Sequence, residues 1–156
     1  MKSVKFVSRA EAIKLVLSGY FEKNAVDFIS ISDTNSEKNQ MRDMWVANKS
    51  AESAAIFLNF ADISSDQSGF TENKAKTIVS FVDESFRRKK DVIVHCFAGI
   101  SRSGAVAKFV NEYFMLGDEY LESYAGHNHW VYYTLLEAAN IPTLRSYYTN
   151  LEQQGS

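Results

Sequence analysis

The chain has 156 residues, 46% of them hydrophobic and 23% charged, with 17 Lys and Arg against 19 Asp and Glu for a net charge of -2. That length suits a single domain over 1–156 with a sizeable core, and so even a balance of charge presents no basic face, so neither a nucleic-acid nor a membrane partner is expected. One cysteine rules out an intramolecular disulfide and suits a reducing compartment, which makes the cytoplasm the expected location.

Taken in chain order, Met1 to Glu11 lacks the apolar core of a signal peptide, and no segment approaches the length of a membrane span. Val4 to Val7 reads as a short strand. Arg9 to Leu17 follows as a helix with Ala12, Ile13, Val16 and Leu17 on one face, ended by Ser18-Gly19. Ala25 to Ser32 is the next strand, the polar stretch Asp33 to Gln40 reads as a loop, and Ala54 to Phe60 is another buried strand. Thr71 caps a long helix whose Ala75, Ile78, Val79, Val82 and Phe86 repeat at helical spacing. The basic run Arg87 to Lys90 closes it as a solvated end that complements the dipole.

Asp91 to His95 is a β-branched apolar run of the kind that forms a buried strand, and Arg102 onward returns to helical period with Val106, Phe109, Val110 and Tyr113 on one face. A Tyr-rich segment leads to Trp130 to Ala139, and Pro142 opens a final helix to about Glu152. The tyrosines between Tyr113 and Tyr148 fit packing better than base stacking, since no basic groove accompanies them. Strands alternating with helices predict an α/β fold: a central, mostly parallel sheet of four to five strands with helices on both faces, and ligands bound at the carboxyl ends of the strands.

Between the last strand and its helix stands His95-Cys96-Phe97-Ala98-Gly99-Ile100-Ser101-Arg102-Ser103-Gly104. A tight loop here turns successive N–H groups inward, and the helix start adds unsatisfied donors and the positive end of its dipole, which together hold a dianion. Cys96 sits at the base of that loop, where the helix terminus and a nearby arginine favour the nucleophilic thiolate. The planar fork of Arg102 can grip two oxygens of a phosphate, which a lysine cannot do.

These ten residues resemble the His-Cys-x5-Arg-Ser/Thr-Gly signature of the cysteine-dependent protein tyrosine phosphatase superfamily, in its small dual-specificity branch, and match it at every defining position. The resemblance implies a phosphocysteine intermediate on Cys96, phosphoryl binding by the loop Phe97, Ala98, Gly99, Ile100, Ser101 and Arg102, and a hydroxyl on Ser103 that assists the cysteine. His95 takes the place of the family histidine that orders the loop. No cofactor and no metal are implied. His127 and His129, at i, i+2 spacing, have no further histidine or second cysteine nearby in sequence to complete a metal site.

The family also implies a general acid on a mobile loop some thirty residues before the cysteine, after a strand neighbouring the signature strand. Asp62 directly follows the predicted strand end in Phe60-Ala61-Asp62-Ile63 and is the first choice; Asp66 is the alternative acid. The Asn128-x-x-Val131 pattern loosely resembles a family segment that packs beside the site.

The free positions of the loop bear on substrate. Phe97, Ala98, Ile100 and Ser101 include no lysine, whereas family members acting on inositol phospholipids place lysines there, so the expected partner is a phosphorylated protein or small aryl phosphate, with phosphotyrosine and also phosphoserine and phosphothreonine accepted by a shallow pocket. The alternatives are an RNA 5′-triphosphatase, which the acidic balance weakens, a phosphoinositide phosphatase, and a non-catalytic phosphate-binding module. An arsenate reductase would need further cysteines.

Overall fold

Four short, largely apolar runs set the architecture. A computed structural model of the chain describes residues 1–49, 51–143, 151 and 154, so most of the final helix expected from Pro142 lies outside the described residues. The four runs form β1 (Val4–Val7), β2 (Val26–Ser32), β3 (Ala55–Asn59) and β4 (Asp91–His95), joined in one sheet of order β1-β4-β2-β3. Every pairing is parallel, with Val7 and Ser30 both in register with His95, and Ser32 with Asn59. All carboxyl ends therefore lie along one edge, which makes that edge a natural ligand site.

Side chains alternate across each strand, so both faces of the sheet are apolar and both must be covered. Val92, Val94, Ile29 and Ile31 enter one core with Ala75, Ile78 and Val82 of α4 (Glu72–Arg87), Ala105, Val106, Phe109 and Val110 of α5 (Arg102–Tyr113) and Val131 and Leu135 of α7 (His129–Ala138). Ile93, Val26 and Phe28 enter a second core with Ala12 and Val16 of α1 (Arg9–Leu17), Phe21 of α2 (Tyr20–Lys23) and Met41 and Trp45 of α3 (Asn35–Asn48). One further short helix, α6 (Glu119–Glu122), completes the order. The observed fold is the expected α/β arrangement, with four strands and helices on both faces. Among the described residues no helix is long and apolar enough to cross a membrane.

The stretch Asp33 to Gln40 is not a loop: only Asp33 and Thr34 remain outside α3. Thr34 Oγ1 accepts from Glu37 N at 3.1 Å and donates to Glu37 Oε1 at 3.2 Å, a capping pair that starts a helix even among polar residues. The buried pair Met41 and Trp45, four residues apart, holds it to the sheet. Two predicted core positions also turn outward. Leu17 is exposed, and so is Phe86, which stacks on Phe114 with ring centroids 4.5 Å apart. Ser85 takes the buried place instead, because its hydroxyl donates to Asp27 Oδ2, a carboxylate wholly inside the fold. The basic run is correspondingly more than a solvated end, since Arg88 pairs with that same Asp27.

Candidate active site

Parallel strands deliver Ser8, Asp33, Phe60 and Cys96 to the same edge of the sheet, where a cavity of about 370 Å³ is lined by Asp33, Asp62, Cys96, Phe97, Ala98, Ile100, Ser101 and Arg102. The loop from Cys96 to Ser101 makes its floor. Gly99 has φ +72°, and a Cβ there would stand 2.4 Å from Ser8 N and 2.6 Å from Val7 C, so the close approach to the end of β1 requires glycine.

The carbonyls of this loop are committed to the surrounding protein. Phe97 O accepts from Arg9 N at 3.0 Å, Ser101 O from Asn128 N at 3.0 Å, and Ile100 O from the Tyr124 hydroxyl at 2.8 Å. In a trans peptide the N–H points opposite to the C=O, so the amides of Ala98, Ser101 and Arg102 face the other way, into the loop. None of the amides from Phe97 to Arg102 donates to a described residue. The ring of Tyr124 also explains Gly104, where a Cβ would meet Tyr124 Cε2 at 2.5 Å.

Cys96 is buried, with Sγ 3.0 Å from Ser103 Oγ, close enough for the hydroxyl to hydrogen-bond a thiolate. His95 is fully buried behind it. Its Nδ1 lies 3.1 Å from Cys96 O and its Nε2 2.7 Å from Ser30 Oγ, while its ring stacks on Phe28. Burial, chiefly, holds this imidazole down at about 4. A neutral ring then donates from Nδ1 to the Cys96 carbonyl and accepts from Ser30 at Nε2, an arrangement that orients the peptide between Cys96 and Phe97.

Arg102 is 4% exposed, a charge that burial tolerates only with partners. One nitrogen, Nη1, donates to Phe60 O at 2.7 Å and pairs with Asp33 Oδ1 at 2.7 Å. Its Nε is buried and has no hydrogen-bond partner among the described residues. Asp62 lies across the cavity, where its Oδ1 accepts from Ser101 Oγ at 2.8 Å and from Asn128 Nδ2 at 2.9 Å.

The structure thus brings together Cys96, Phe97 to Arg102, Ser103, His95 and Asp62. Asp66 instead opens a 3-10 turn, Asp66–Ser68, and does not line the cavity. The strand before Asp62 is not a neighbour of β4 either: β3 is the sheet edge and β2 lies between them. Asp33, Ser30 and Tyr124 are site residues that no motif marks. Asp33 does carry a usable signal, being the residue that follows a strand whose carboxyl end must converge on the same edge.

The sequence matches no protein-family model and no curated protein sequence. The fold does match solved structures. The human tyrosine phosphatase-like serine/threonine/tyrosine-interacting protein superposes with a TM-score of 0.56 at 20% identity, over 90% of this chain and 93% of that one. OH1 from the Orf virus, a tyrosine phosphatase described as having triple substrate specificity, gives 0.51 at 20% identity, over 88% and 82%. PTPMT1 gives 0.51 at 16% identity, over 90% and 91%. The chain shares the fold of these tyrosine phosphatase and tyrosine phosphatase-like structures.

Proposed function

We propose that this chain is a phosphomonoester hydrolase working through a phosphocysteine, with Cys96 as nucleophile, Arg102 as phosphate clamp, Asp62 as general acid and base, and Ser103 assisting. The observation that carries this reading is the uncommitted donor set around the thiol: among the described residues the buried Arg102 Nε has no partner and the neighbouring loop amides donate to none. A buried donor left unpaired costs about 1–3 kcal/mol, and a bound phosphoryl group supplies the missing acceptors.

In the first step the Cys96 thiolate attacks phosphorus, the bond to the ester oxygen breaks, and that oxygen takes the proton of the Asp62 carboxyl as it leaves. In the second, the Asp62 carboxylate takes a proton from water, the water oxygen bonds to phosphorus, and the P–S bond breaks to return the thiolate and release inorganic phosphate. Ser103 Oγ, 3.0 Å from Sγ, donates to the sulfur as its charge returns. The loop amides and Arg102 meet the phosphoryl oxygens throughout, so no metal is required for charge stabilisation.

The finer substrate assignment is a protein-tyrosine or dual-specificity one. Phe97 and Ile100, 61% and 55% exposed on the loop itself, give the mouth an apolar wall, and the charged lining residues besides Arg102 are Asp33 and Asp62 rather than lysines. Such a mouth suits one phosphate on an aromatic or peptide-borne group. A catalytic thiol needs a reducing environment, which supports a cytoplasmic location.

Hydrolysis of a phosphorylated aryl ester separates this reading from a phosphate-binding module. Turnover by the wild type that disappears in Cys96→Ser supports the enzyme, and tight phosphate binding without wild-type turnover supports the module. In the same assay Asp62→Ala should lose a substrate with a poor leaving group while Asp66→Ala keeps it; the reverse result would move the acid to Asp66.

A further inference from the structure

Asn128 is 4% exposed and is shared by three segments. Its Oδ1 accepts from Val131 N at 3.0 Å and caps α7. Its backbone N donates to Ser101 O at 3.0 Å, fixing the last turn of the phosphate loop. Its Nδ2 donates to Asp62 Oδ1 at 2.9 Å and to Ile63 O at 3.3 Å. The segment after β3 is fastened on the far side as well, where Trp130 Nε1 donates to Phe70 O at 3.0 Å and Ala61 N to Ser68 O at 2.8 Å.

From this geometry, and resting on the reading of Asp62 as the general acid, we infer that Asn128 is a positioning residue that presets the acid over the phosphate loop before substrate arrives. Both fixed donors, the Asn128 amide and the Ser101 hydroxyl, fall on Asp62 Oδ1. A carboxyl oxygen that already accepts two hydrogen bonds cannot also carry the acidic proton facing them, so the proton resides on Oδ2, the oxygen to which neither donor is bonded. The amide therefore selects which oxygen donates and fixes its direction. Orientation of this kind is worth large factors in rate because the transfer then needs no search for geometry.

The inference is tested by comparing kcat/KM for two aryl phosphates, one releasing an ordinary phenol and one a strongly acidic nitrophenol that leaves without protonation. Asn128→Asp keeps an oxygen to cap α7 but removes the donor to Asp62. It should lose about 10- to 100-fold with the poor leaving group and less than about threefold with the good one, the signature of an impaired acid. Asn128→Ser, which caps α7 but is too short to reach Asp62, should behave alike and provides the reading if the Asp variant does not fold. Equal losses with both substrates mean a general structural role and overturn the proposal, as does no loss with either. Asp62→Asn run alongside separates the two levels. If it discriminates between the leaving groups and the Asn128 variants do not, the positioning role alone is wrong. If it does not discriminate, the assignment of the acid fails and the proposal falls with it.

Discussion

Asp33 Oδ1 lies 2.7 Å from Arg102 Nη1, and the same nitrogen donates to Phe60 O at 2.7 Å. One prong of the guanidinium is thereby held by the ends of β2 and β3, while the buried Nε has no hydrogen-bond partner among the described residues. The Arg102 side chain is thus oriented by the residues that follow two strands, β2 and β3, neither of which leads into Cys96. Asp33 is partly exposed, so its attraction to Arg102 is moderated by water, whereas Arg102 itself is sealed in.

Removal of that carboxylate should weaken the free protein more than the occupied one. Asp33→Ala is expected to cost about 1–3 kcal/mol of folding stability through the buried cation it leaves short of a partner. Saturating inorganic phosphate, which supplies new acceptors, should restore part of the loss. Thermal unfolding with and without phosphate measures both terms; an equal deficit in the two conditions would show that Asp33 acts independently of the ligand site.

Gly99 makes a second demand that can be read out separately. Its φ of +72°, and the mere 2.4 Å that would separate a Cβ from Ser8 N, leave no space for alanine. Gly99→Ala should cost about 1–3 kcal/mol and also reduce phosphate affinity, since the loop amides move with the strained peptide. Denaturant unfolding and phosphate inhibition of aryl phosphate turnover report the two effects, and a variant with unchanged affinity would show that the loop tolerates the displacement.

Stability should also depend on pH through His95. Its folded value of about 4 lies below the ordinary 6.5, because burial disfavours the charged ring. The unfolded chain therefore takes up a proton between those values that the folded one refuses, so the contribution is fully present above about 6.5 and is lost as the pH falls toward 4. The full span is worth about 3 kcal/mol. Urea unfolding of the wild type and of His95→Asn across this window isolates the contribution: the difference in slope between the two should vanish above about pH 6.5, and parallel curves from pH 6.5 to 4 would contradict a buried neutral ring.

Much of this arrangement is legible in the residues. The strand Asp91–His95, the loop and the helix from Arg102 follow from a β-branched run, a glycine and a change of period, all local signals. The helix Asn35–Asn48 escapes a reading by periodicity because its apolar residues are few and the stretch opens on polar ones, although Thr34 and Glu37 form a capping pair. Ser85 in place of Phe86 could not be foreseen, since its burial depends on a hydrogen bond to Asp27, 58 residues away. Asp33 and Asn128 also reach the site because parallel strands and α7 converge there: Asp33 is signalled only by following a strand whose carboxyl end lies on that edge, and Asn128 only by the loose Asn128-x-x-Val131 resemblance, neither of which states the contact it makes.

The most direct measurement is to mix the wild-type protein with an aryl phosphate, quench within a turnover, and weigh and map the intact chain. One phosphoryl group on Cys96, absent from Cys96→Ser together with all turnover, is the expected result. Turnover that persists in Cys96→Ser, or a phosphoryl group carried by any other residue, would contradict a phosphocysteine mechanism.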